Sequence, residues 1–140
     1  MQLLAAALVV AALTTNPAIV AQKGGRLAPV EAIIAEKVTP EVAVMVYQRC
    51  AAFFSARSIL LTSERSEYAE ARAVATANAF RIGAATLAER YKLDLGETAM
   101  EATLDAMIGV YIEEFALSNA TGLTFVGALK ADHDFCMRLE

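Results

Sequence analysis

Between Thr39 and Thr62 the chain reads TPEVAVMVYQRCAAFFSARSILLT, and four of its few polar positions, Glu41, Gln48, Ser55 and Thr62, recur every seven residues. A helix with that pattern carries one narrow polar stripe. Val42, Val46, Tyr47, Cys50, Phe53, Phe54, Leu60 and Leu61 take most of its circumference, which places it at the centre of a fold with neighbours on several sides. Thr39, Pro40 and Glu41 supply its start: a side-chain acceptor at the N-cap, a proline where no amide is needed, and an acid near the positive helix end. Arg49 and Arg57 interrupt the apolar surface. Their stems can lie along it with the guanidinium in water or paired to an acid of a neighbouring helix.

The pattern then changes. Ser63 and Glu64 read as the start of a second helix, along which Ala69, Ala73, Ala77, Phe80, Ala84, Leu87 and Tyr91 step by three or four residues. Because most of that stripe is alanine, a neighbour can approach closely, most of all at Gly83-Ala84-Ala85. Asp94-Leu95-Gly96-Glu97 has the form of a capping box and predicts a third helix running to about Ser118, with Met100, Leu104, Met107, Ile108, Tyr111 and Phe115 inward. A last helix is expected from Thr121 or Thr124, with Phe125, Val126, Leu129, His133 and Cys136 on one face and Lys130, Asp132, Asp134 and Arg138 outside.

Before the central helix, Pro29–Val38 can form a short helix with Val30, Ile33, Ile34 and Lys37 on one side, which needs to dock to be stable. Gln22–Ala28, with Gly24 and Gly25 together, reads as a mobile linker. Leu3–Leu13 is an eleven-residue uncharged apolar run followed by Thr14-Thr15-Asn16-Pro17 and small residues to Ala21. This is the layout of a signal peptide cut after Ala21, although no basic residue precedes the run and Ile19 is large for its place. A buried N-terminal helix is the alternative. A membrane span is disfavoured, since spanning takes about 20 continuous apolar residues.

With 140 residues the chain can bury one sizeable core unaided. The expected organisation is a leader over residues 1–21, a linker over 22–28 and one helical domain over 29–140. The expected fold class is all-α: a compact antiparallel bundle of four main helices plus a short N-terminal helix. An exported chain with two cysteines, Cys50 and Cys136, is expected to staple the central helix to the last one; two buried thiols are the alternative. The compartment implied is periplasmic or secreted, by bacterial-type export.

The chemistry the sequence excludes is broad. A formal charge of −4 without a Lys/Arg cluster argues against nucleic acid as a partner. His133, the one histidine, lies three before Cys136, too few ligands for zinc, and a dimetal bundle site needs two Glu-x-x-His pairs. No calcium loop, phosphate loop, dinucleotide glycine pattern or nucleophile elbow is present. No cofactor, no metal and no catalytic residue is therefore assigned.

One charge signal remains. From Leu95 to Asn119 there is no Lys or Arg, while Glu97, Glu101, Asp105, Glu113 and Glu114 fall in the third helix. Glu113 and Glu114 lie toward the negative helix end, where the dipole disfavours them. A solvated face is the plain reading, and a face for a basic protein partner is the functional one. A small-molecule pocket between helices, lined by Phe53, Phe54, Met100, Met107 and Tyr111, is the alternative function.

Overall fold

The computed structural model of the chain describes residues 26–34 and 38–139. The predicted leader, residues 22–25 of the predicted linker and Lys37 lie outside the described residues. Among the described residues there are five α-helices and no strand: α1 (Val30–Ile34), α2 (Pro40–Ser63), α3 (Glu67–Arg90), α4 (Glu97–Leu117) and α5 (Gly127–Leu139). None is long and apolar enough to cross a membrane.

The helix α2 is the axis of the bundle and touches each of the other four. Its start is as the sequence predicts: Thr39 is the N-cap, its hydroxyl accepts from the Val42 amide at 3.2 Å, and Pro40 is the first helical residue. Three contacts fix the direction of α3. Thr62 bonds Glu70 (2.7 Å), Phe54 stacks on Phe80 (6.1 Å), and a β-carbon added at Gly83 would stand 3.1 Å from the Tyr47 ring, so α2 and α3 form an antiparallel hairpin. The alanine stripe is its seam: Ala73, Ala77, Phe80 and Ala84 are buried, and the row continues through Ala88, leaving Tyr91 exposed. The helix α4 runs along α2 in the same direction, with Gln48 near Met100 and Phe53 near Phe115, and α5 runs back along it. The expected disulfide is present: Cys50 and Cys136, 86 residues apart, are bonded with their α-carbons 5.7 Å from one another. The fold is thus a bundle of four main helices with a short N-terminal one, held by one disulfide.

Several boundaries differ from the sequence reading, each for a local reason. The helix α2 continues to Ser63, and α3 starts at Glu67 rather than Ser63. After α2, α3 and α4 the chain makes the same pair of reversed hydrogen bonds. Ser66 N–H reaches Leu61 O and Arg65 N–H reaches Thr62 O; Leu93 and Lys92, then Ala120 and Asn119, repeat the arrangement. This is the Schellman ending, and it places Arg65, Lys92 and Asn119 at φ 57°, 52° and 52°. No glycine marks these ends in the sequence. The capping box at Asp94 does not form, because Gly96 is itself the N-cap at φ 62° and Glu97 is the first helical residue. The last helix starts at Gly127, after Thr121 or Thr124. The Thr121 hydroxyl accepts from the Leu123 and Thr124 amides (3.2 and 2.9 Å) and holds a turn there. Val126, expected inward, is exposed.

The core centres on Phe53, whose ring meets Phe54, Phe125, Tyr111, Phe115 and His133 at centroid distances of 5.1 to 6.0 Å. Beside it lies a buried polar cluster. Arg49 is 2% exposed and Asp132 0%, so Asp132, expected outside, is inside. Arg49 Nη2 donates to Asp132 Oδ2 at 2.7 Å, Arg49 Nε donates to the Tyr111 hydroxyl at 2.7 Å, and that hydroxyl donates to Asp132 Oδ2 at 2.5 Å. The other carboxylate oxygen, Oδ1, accepts from the Val30 amide at 2.8 Å, and Arg49 Nη2 also donates to the Ala28 carbonyl. Burial opposes the Arg49 charge, but Tyr111 and Asp132 outweigh it and raise its pKa; burial pushes the Tyr111 hydroxyl far up. The segment expected to be a mobile linker is therefore docked at residues 26–28, with Leu27 and Ala28 buried.

Candidate functional site

The five acids of α4 divide into three groups. At about 100° per residue, Glu97, Glu101 and Asp105 form one row, and all three are exposed. Glu113, also exposed, stands about 80° further round the helix than Asp105. Glu114 is 4% exposed and faces the protein. It receives Arg26 Nη2 at 2.7 Å, Arg26 Nε and the Leu27 amide at 3.0 Å, and the Ser118 hydroxyl at 2.9 Å. The Arg26 guanidinium holds the Glu114 carboxyl well down, to about 2, against the opposing effect of burial and with help from the Leu27 amide and Ser118. Glu114 is thus spent on internal structure, and an acid is tolerated at the unfavourable end of its helix because a cation from 88 residues earlier in the chain pairs with it.

The five residues of the predicted pocket separate as well. Phe53, Phe54, Met107 and Tyr111 are buried in one cluster and pack on one another. Of the five, Met100 alone lines a cleft of about 360 Å³, which opens where the end of α3 and the start of α4 part over α2. Its walls are Ala51, Ala84, Leu93, Leu95, Met100 and Leu104. Among its charged lining residues, Arg81 Nη2 and Glu101 Oε1 meet at 2.7 Å, both more than half exposed, and Glu97 lies beside them. Gln48, polar on an apolar helix, donates to the Met100 carbonyl at 3.3 Å and closes the inner end.

The acidic row and the apolar cleft therefore share one edge, at Glu97 and Glu101. The sequence reading found the acids and Met100 but not Arg81, Leu93 or Leu95. Leu93 and Leu95 lie in the connection after Arg90, where no periodicity assigns a face. Among the described residues no group of three or more His, Cys, Asp and Glu side chains is placed to hold a metal ion. Compared with known proteins, the chain matches no family model, no curated protein sequence and no solved structure.

Proposed function

We propose that the protein is a non-enzymatic binding protein of an oxidising compartment outside the cytoplasm, which uses the start of α4 to hold a basic, partly apolar segment of a protein partner. One observation carries this reading: an apolar cleft of about 360 Å³ is edged by Glu97 and Glu101, with Asp105 next along the same row. That volume lies in the range of small-ligand sites, about 300–1,000 Å³, and suits an apolar side chain entering beside a Lys or Arg. The Cys50–Cys136 disulfide supports the compartment.

The Arg81–Glu101 pair makes the test sharp. An exposed pair of this kind contributes about 0–1 kcal/mol, so an incoming cation can displace Arg81 at little cost. A short peptide of alternating Lys and Leu should bind, its Glu and Leu counterpart should not, and raised salt should weaken the binding. Glu97→Lys with Asp105→Lys should abolish it, and Arg81→Ala should strengthen it severalfold by freeing Glu101. Calorimetric titration that finds Arg81→Ala neutral and salt without effect would remove this reading. A second reading, a small apolar ligand in the same cleft, is supported by the apolar walls around Met100. It predicts binding that ignores both salt and Arg81.

A further inference from the structure

A second cleft, about 270 Å³, opens on the other half of the α2–α3 hairpin. It is built unlike the first. Arg57 of α2 and Arg72 of α3 both line it, together with His133 of α5, Tyr68, Thr76 and an apolar floor at Phe54; among the described residues no carboxylate lines it. Elsewhere Arg26, Arg49, Arg81 and Arg138 are each paired with an acid at 2.6 to 2.7 Å. Arg57 and Arg72 have no such partner among the described residues. The Arg57 Nε is fixed by the Gly122 carbonyl at 2.8 Å and its guanidinium carbon lies 5.7 Å from the centre of the Phe125 ring, while Arg72 lies 6.0 Å from the centre of the Tyr68 ring. Ring contacts of this kind orient a guanidinium without neutralising it.

We propose that this cleft binds a small organic oxyanion, a carboxylate or phosphate monoester on an apolar body, with Arg57 and Arg72 taking the anionic head and Phe54 the body. The guanidinium fork matches both kinds of head in a bidentate way. Two nearby acids already have partners: Glu64 bonds the Gly122 amide at 2.7 Å, and Asp134, outside the lining, bonds Lys130 and the cleft's own His133 at 3.0 to 3.2 Å. Burial and the charge of Arg72 hold the Arg57 pKa below its ordinary value, with Glu64 only partly offsetting them. Two cations thus face one cavity with an unmet demand for negative charge. The site is separate from the acidic cleft and does not rest on the reading given for it.

The experiment is a titration of the full, disulfide-bonded chain with benzoate, phenyl phosphate, inorganic phosphate and neutral benzamide, followed by amide and arginine side-chain NMR shifts. Benzoate or phenyl phosphate should give saturable shifts centred on residues 68–76 and the Arg57 and Arg72 side chains. R72Q should weaken this about tenfold or more, the loss expected for a charge-assisted bond; Arg72 makes only a ring contact, so the fold is kept. R90Q, an equal change of net charge elsewhere, should leave binding as it is. The proposal is overturned if neither organic anion saturates by about 10 mM, if benzamide binds as well as benzoate, or if R72Q and R90Q behave alike. Inorganic phosphate binding as tightly as phenyl phosphate would equally overturn it, since the apolar floor would then contribute nothing.

Discussion

Asp132 and Glu114 are the two carboxylates the fold could least do without. Each takes an arginine and also a backbone amide at or before the start of α1, Val30 for Asp132 and Leu27 for Glu114. For Asp132, removal of the charge breaks a buried ion pair with Arg49, which costs about 3–5 kcal/mol. Asp132→Asn should therefore lower the urea midpoint sharply. Tyr111→Phe should cost about 1–2 kcal/mol, because it removes one hydroxyl from a cluster that stays paired. A change the other way is available at Lys92, held at φ 52° where a β-carbon is strained. Lys92→Gly should stabilise by up to about 1 kcal/mol in the same denaturation assay. The sequence reading placed Asp132 outside and Glu114 on the acidic face, although the spacing held a signal that both turn inward. Asp132 follows Leu129 by three and precedes Cys136 by four, and Glu114 follows Tyr111 by three, so each stands on its helix's apolar stripe. Their partners were not legible, because Arg26 and Arg49 lie 88 and 83 residues away in the chain and local spacing says nothing of them.

At the scale of elements, long apolar stripes placed α2, α3 and α4 to within a few residues, since periodicity over many turns averages out local exceptions. Starts and ends failed where backbone conformation overrode side-chain signals, as at Arg65, Gly96 and Gly127. The connection between α4 and α5 is a case where a long-range contact determined the boundary. Gly122 is pinned to α2 by Arg57 on its carbonyl and Glu64 on its amide, and a β-carbon there would meet Leu61 Cγ at 2.8 Å. Gly122→Ala should destabilise by about 1–3 kcal/mol through overpacking. The helix α5 carries two attachments one turn apart, the buried Arg49–Asp132 pair and the Cys50–Cys136 bond. A cross-link over that separation contributes about 4–5 kcal/mol in the chain-entropy model, yet its loss should not free the whole helix. In hydrogen exchange after reduction, amides beyond Asp132, toward Leu139, should accelerate first while Leu129 stays protected. Uniform loosening of α5 would mean that the ion pair does not hold it independently.

For the whole molecule, the segment 26–34 is a strap joining the ends of α4 and α5. Arg26 and Leu27 sit on Glu114, Ala28 and Val30 on the Arg49–Asp132 cluster, and Glu31 on Arg138 at 2.6 Å. Composition marks its first part as a linker because Gly24, Gly25 and two cations precede Leu27; what docks it is the two inward acids, which no local pattern connects to it. The strap should consequently respond to acid through Glu114. Its carboxyl is held at about 2 in the folded chain against an ordinary 4.5, first by the Arg26 hydrogen bonds. A depressed folded value means that the unfolded chain takes up the proton first, so the stabilisation is complete above about 4.5 and declines until pH falls through about 2. The Leu27 amide, bonded directly to Glu114 Oε1 at 3.0 Å, is the reporter. Its NMR shift should titrate with a midpoint near 2, and exchange at residues 26–30 should quicken over the same descent. Glu114→Gln should remove that titration and leave the strap loosened already at neutral pH, with α2 and α3 unaffected because neither contacts the substituted carboxyl. A midpoint near 4.5 for Leu27 would show that Arg26 does not hold Glu114 in solution, and the strap would then hang on the Arg49–Asp132 cluster and Arg138.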